Sequence, residues 1–179
     1  MKCALTGHRV LEKNFSLTAL EEKLTEIIES GAGTFYCGMA LGFDLACLGI
    51  LASLKRERPL RLVACVPCAD QSARYPYEMR RLYEELLEEC DEKIVLHEHY
   101  EEGCMFERNR RMVDECDLVF AYLYAKRGCT YYTVRYAEKR TVRRCSRSAK
   151  KALFFFADFC DKTMRGKKGE KGIFCLTMP

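Results

Sequence analysis

A chain of 179 residues, 49% of them hydrophobic, has the length and apolar content for one folded core, which excludes global disorder. The net charge of +4 averages two unlike parts: residues 1–138 carry 18 Lys and Arg against 23 Asp and Glu, whereas residues 139–179 carry 12 against 3. No stretch approaches the ~20 apolar residues of a membrane span, and the N-terminus lacks the long apolar core of a secretion signal. The expectation is therefore a cytoplasmic protein without membrane contact.

Lys2 to Thr6 is a short apolar run that ends at Gly7. Leu17, Leu20, Leu24, Ile27 and Ile28 recur at helical spacing, and Gly31 is placed to stop that helix. Thr34 to Gly38 reads as a second strand, and Gly42 to Glu57 as a helix apolar on most sides. Leu60 to Val66 reads as a third strand, and a helix over Tyr75 to Asp91 follows a long loop. Lys93 to His97 is a fourth strand, Cys104 to Asp117 a helix, Leu118 to Tyr124 a fifth strand, and Thr130 to Arg140 the next helix.

Strands that alternate with helices and are apolar on both faces specify a parallel sheet covered by helices. Right-handed crossovers then wind it in both directions. The expected fold is α/β: a Rossmann-like, doubly wound, mostly parallel sheet with helices on both faces. Residues 1–140 form the expected core, 141–160 a divergent segment in which Ala152 to Phe156 reads as a delayed last strand, and 161–179 a basic tail.

Twelve cysteines raise the question of zinc or disulfides. Only Cys65 and Cys68 have the CxxC form, and no second pair or nearby His completes a metal site. Reduced, buried thiols are expected, with a redox pair at Cys65 and Cys68 as the alternative. His97 and His99 flank Glu98, Glu101 and Glu102 in what reads as a solvated loop rather than a metal site. Nothing in the sequence requires a metal or a cofactor.

Sheets of this class hold ligands at the carboxyl ends of their strands, and the unusual residues of this chain fall there. Thr6, Gly7, His8 and Arg9 follow the first strand. After the second, Gly38 and Gly42 read as positions where backbone approaches a ligand with no Cβ in the way. Phe43 and Asp44 open the next helix, whose free N–H groups favour an anion. Asp44 reads either as a complement to the helix dipole or as a carboxylate accepting a ribose hydroxyl. Gly128, Cys129, Thr130 and Thr133 repeat the arrangement, with Thr130 as an N-cap whose hydroxyl reaches a phosphate. Asn109 shares a helical stripe with Met105, Met112 and Cys116, and Arg108 beside it supplies a planar charged fork. Arg74 and Tyr75, at the end of a long loop, read as a lid.

Taken together, "TGHR" from Thr6, "GMALGFDLA" from Gly38, the stretch from Gly103 to Leu123 and "GCTYYTVRYAEKR" from Gly128 resemble the YspA/YpsA-like branch of the SLOG superfamily. That Rossmann-like group includes the DprA DNA-binding proteins and the LOG phosphoribohydrolases. The resemblance runs from Lys2 to Arg140 and implies binding of a nucleotide or nucleotide-derived ligand in the loops just named. It brings no substrate or activity with it.

The LOG enzymes sharpen the comparison, since they cleave the N-glycosidic bond of a nucleoside monophosphate with an Arg and a Glu. "MFERNRRM" is similar to their Arg helix, with Arg108 at the Arg position, but Thr133 stands where the Glu falls. If the chain is an enzyme of that kind, Arg108 and Asp44 are its catalytic candidates. Three readings stay open: a module that senses or carries a nucleotide-like small molecule, a nucleotide N-glycosidic hydrolase, and a nucleic-acid binder acting through the basic tail. The apolar helices also suit a homodimer.

Overall fold

Alternation with period two, apolar on both sides, fixes the central strand. In β1 (Lys2–Gly7) the side chains of Cys3 and Leu5 enter one core and Ala4 enters another, and all three are buried. The computed structural model of the protein describes residues 1–144 and 152–155. After β1 follow α1 (Leu17–Glu29), β2 (Thr34–Cys37), α2 (Phe43–Lys55), β3 (Arg61–Cys68) and α3 (Tyr77–Glu88). Then come β4 (Glu92–His97), α4 (Cys104–Glu115), β5 (Leu118–Tyr122), α5 (Gly128–Arg144) and β6 (Ala152–Phe155).

The strands form one parallel sheet of six, in the order β4-β3-β2-β1-β5-β6. Cys3 of β1 lies opposite Phe35 of β2 on one side and Leu118 of β5 on the other. Successive strands move outward from β1 in one direction through β4, and the chain then returns to add β5 and β6 on the opposite side. The crevice between the carboxyl ends of β1 and β5 is thus the switch point of a doubly wound fold.

Each face of the sheet has its own core. Leu5, Phe35, Leu62 and Phe120 pack under α1, α2 and α3, with Leu20, Leu24 and Ile27 of α1 among them. Ala4, Tyr36, Val63 and Val119 pack under α4 and α5. Ser16 caps α1 by accepting from Ala19 N at 3.2 Å. Burial on both faces holds in the interior strands but not at β4, where Lys93 and Val95 are exposed because β4 is an edge.

α5 starts two residues before the sequence pattern places it and ends at Arg144. Gly128, with φ of 80°, makes the turn into it. Thr130 consequently sits inside the first turn rather than at the N-cap. Residues 161–179, the expected basic tail, lie outside the described residues. Among the described residues no helix is long and apolar enough to cross a membrane.

Candidate functional site

A cleft of about 420 Å³ opens at the switch point. Of the residues the sequence singles out, it gathers Thr6, Gly7, His8, Arg9, Asp44, Arg108, Asn109, Gly128, Cys129 and Thr130. Gly38, Gly42, Phe43, Arg74 and Thr133 do not line it.

The glycines explain part of that division. A Cβ at Gly42, where φ is 79°, would collide with the carbonyl oxygens of His8 and Arg9. A Cβ at Gly38 would collide with the Arg108 guanidinium, and one at Gly7 with the Phe43 ring. These glycines make room for the protein's own chain, not for a ligand. Phe43 is fully buried and stacks on Tyr122 with ring centroids 5.5 Å apart. Its N–H donates to His8 O at 3.3 Å, so the start of α2 is closed by the loop after β1. Gly128 differs: its φ is 80°, yet nothing lies within 4 Å of a Cβ there, and it faces the cleft.

A polar network forms the floor. Arg108, 5% exposed, donates from Nη1 to Gly38 O and to Cys65 O (3.3 Å), and from Nε to Asn109 Oδ1 at 2.6 Å. Asn109 Nδ2 donates to Thr133 Oγ1 at 2.8 Å, and that hydroxyl donates to Cys129 O at 2.8 Å. Thr130 Oγ1 donates to Gly7 O at 2.8 Å. The Thr130 hydroxyl expected to reach a phosphate therefore gives its proton to the backbone of β1, while Thr133 gives its own to the backbone of α5 and ties α5 to α4 by accepting from Asn109.

Among the described residues, Asp44 is the one acidic residue in the lining. Its Oδ2 accepts from Ala40 N at 3.3 Å, and its Oδ1 has no hydrogen-bond partner among the described residues. Burial pushes its carboxyl up to about 6, against the opposing pull of the Arg108 charge. At neutral pH a mostly ionised, under-bonded carboxylate thus sits at the base of the cleft.

The rim is cationic. Arg9 and Arg127 are exposed, line the cleft, and have no hydrogen-bond or ion-pair partner among the described residues for their guanidinium groups. His8 lies against Tyr124, ring centroids 4.1 Å apart, and its Nε2 accepts from Ala125 N at 3.3 Å. Burial lowers the His8 pKa, so the ring is neutral at pH 7 and serves as an acceptor. The α5 N-terminus, at Gly128 to Thr130, opens beside these cations. Tyr124 and Arg127 were not selected from the sequence. Their place between the end of β5 and Gly128 was the available signal.

Other expectations change. Arg74 is exposed and outside the cleft. Tyr75 is no lid: its hydroxyl donates to Met39 O at 3.4 Å and accepts from Gln71 at 3.3 Å, and its ring packs edge-on against Tyr83. Cys65 and Cys68 lie on one strand three residues apart, so they project to opposite faces and cannot pair with each other. Burial pushes both thiols up to about 12. His97 Nε2 is 2.9 Å from Glu107 Oε2, and no cluster of three or more metal-ligating side chains occurs among the described residues.

Comparison with known proteins agrees with this architecture. The family model described as "YspA SLOG family" matches residues 11–150. A UPF0398 protein of Bacillus pumilus is 29% identical over 126 residues, covering 68% of each chain. A second, from Oceanobacillus iheyensis, is 26% identical over 97 residues, covering 49% of this chain and 53% of its own. Among solved structures, DNA processing protein A from Helicobacter pylori, described for its single-stranded DNA binding mode, has a TM-score of 0.59 at 21% identity. DNA processing protein A from Streptococcus pneumoniae has a TM-score of 0.54 at 22% identity. These alignments cover 87% and 77% of this chain but only 64% and 47% of the solved chains. They show a shared fold. The match to the family model, which spans most of the chain, shows that the protein belongs to the YspA SLOG family.

Proposed function

We propose that this member of the YspA SLOG family binds a nucleotide or a nucleotide-derived phosphoribosyl ligand in the cleft between β1 and β5. The observation that carries the reading is the pairing of a cationic rim with a floor that holds the buried Asp44 carboxylate. Arg9, Arg127 and the open start of α5 suit a phosphate. Asp44, with Oδ1 unbonded, suits the hydroxyls of a ribose. A cleft of about 420 Å³ is in the size range of small-molecule sites.

Thermal unfolding of the full chain with AMP, ribose 5-phosphate and NAD-type compounds tests the reading. Stabilisation by one or more ribose phosphates is expected. No shift by any of them at millimolar concentration sinks it.

A second reading, N-glycosidic hydrolysis, has Asp44 beside the site in its favour. Cleavage through an oxocarbenium-like state needs a carboxylate near the sugar. Thr133, which stands where the LOG Glu falls, is buried and committed to Asn109 and Cys129. Release of free base from a nucleoside monophosphate, lost in Asp44→Asn, would establish this reading over simple binding.

A further inference from the structure

Of the nine cysteines among the described residues, Cys129 is the one that stands exposed. Seven are buried and Cys90 is half-buried. Burial pushes Cys90 up to about 11 and Cys65 up to about 12, which keeps those sulfurs protonated. Cys129 is the second residue of α5 and lines the cleft. Its backbone is held: Thr130 beside it donates to Gly7 O at 2.8 Å, and Cys129 O accepts from Thr133 at 2.8 Å. Nothing lies within 4 Å of a Cβ at Gly128, which leaves room beside the thiol.

Two further features of the same cleft define what would come to that sulfur. Asp44 is 4% exposed, lines the cleft, and has an Oδ1 with no hydrogen-bond partner among the described residues, so the floor lacks a donor. Arg9 and Arg127 line the rim and have no carboxylate partner among the described residues. A molecule that reaches the sulfur between them needs carboxylates for the rim and an N–H donor for Asp44. A disulfide built from cysteine, as the free amino acid or within a small peptide, carries both.

We propose that Cys129 is a modification site that takes one half of a cysteine-derived disulfide into the cleft as a mixed disulfide. Cys129 gives its proton to solvent, and its sulfur attacks one sulfur of the incoming disulfide. The new S–S bond forms as the old one breaks, and the departing thiolate carries off the electron pair and takes up a proton. Cys129 is oxidised and the departing half is reduced. An excess of small thiol reverses the step. The half that stays covers the anion seat and so excludes the ligand; that consequence, unlike the modification itself, rests on the nucleotide reading of the cleft.

The test follows the Cys129-containing peptide of the full chain by mass spectrometry, so that Cys145, Cys160 and Cys175, which lie outside the described residues, do not enter the reading. Glutathione disulfide is compared with hydroxyethyl disulfide, which has neither charge nor N–H, and each rate is divided by that reagent's rate with a free cysteine peptide. Cys129 is expected to favour glutathione disulfide about tenfold, and Arg127→Gln to remove most of that preference. Ribose 5-phosphate should slow the modification. The modified chain should lose its thermal stabilisation by ribose 5-phosphate until dithiothreitol restores it. Equal normalised rates would overturn the proposal. So would an Arg127→Gln variant that keeps the preference, or a Cys129 that neither reagent modifies. A preference for glutathione disulfide that ribose 5-phosphate does not disturb upholds the modification and strikes the nucleotide reading. Stabilisation by ribose 5-phosphate together with equal normalised rates does the reverse.

Discussion

Asn109 donates from Nδ2 to Oγ1 of Thr133 at 2.8 Å, so that α4 and α5 are tied together by two buried side chains directly behind the cleft. The same Asn109 accepts from Arg108 Nε at 2.6 Å and fixes the plane of that guanidinium. Removing the amide leaves one buried donor and one buried acceptor without partners, at about 1–3 kcal/mol each. Asn109→Ala should therefore lower unfolding stability by at least about 2 kcal/mol, as read by urea denaturation. A loss within the ~0.5 kcal/mol typical of surface changes would mean that the tie is dispensable.

Gly42 and Gly128 share a positive φ, 79° and 80°, but have opposite surroundings. At Gly42 an added methyl meets the backbone of His8 and Arg9, which cannot rotate away. At Gly128 it meets open space. Gly128→Ala should cost only the left-handed strain, roughly 1–2 kcal/mol. Gly42→Ala should cost clearly more and displace the loop after β1. Equal losses in a thermal melt would refute the assignment of Gly42 to close packing.

Arg108 and Arg127 should separate stability from binding. Arg108 is buried and donates to Gly38 O, Cys65 O and Asn109 Oδ1, so Arg108→Met strands those buried acceptors and should cost on the order of 3 kcal/mol. Arg127 is exposed on the rim, so Arg127→Gln should leave the melting temperature of the free protein unchanged and reduce the stabilisation given by ribose 5-phosphate. If Arg127→Gln retains the full ligand-induced shift, Arg127 does not hold the phosphate.

Asp44 should give the fold a pH dependence of unusual sign. Its folded pKa, about 6, stands above the ~3.9 of an unfolded chain, so the folded protein keeps a proton that the unfolded chain has released. The stabilisation from this group is complete below pH ~4 and is lost as pH rises through about 6, on the order of 3 kcal/mol in all. Asp44→Asn should flatten stability across that window. An unchanged slope in the variant would move its origin to another group. The ionised carboxylate is also the better acceptor, so affinity for a neutral nucleoside, which has no phosphate to titrate, should rise over the same range.

The repeating order of strands and helices was legible because each element carries its own period. Cys3, Ala4 and Leu5 alternate between two cores, and Leu20, Leu24 and Ile27 recur along one helical face. The carboxyl-end position of the cleft followed from that order, and most residues chosen there do line it. Arg127 and Tyr124 were missed because an exposed Arg and an apolar strand end look ordinary when read singly. Arg74 and Tyr75 misled because a loop's length says nothing about which way its side chains turn.

By itself the sequence determined the alternation of elements, the parallel sheet, and the concentration of Gly, Thr, Arg and Asp at its carboxyl edge. These are local properties, set by spacing along the chain. Only the tertiary structure decided what each of those residues faces. A glycine in the sequence says that a Cβ is excluded, not what excludes it: at Gly42 it is the His8–Arg9 backbone, and at Gly38 the Arg108 side chain. A hydroxyl says that a proton can be donated, not to whom, and Thr130 and Thr133 give theirs to Gly7 and Cys129. Partners separated by tens of residues are chosen by packing, because only the folded chain brings their atoms within hydrogen-bonding range.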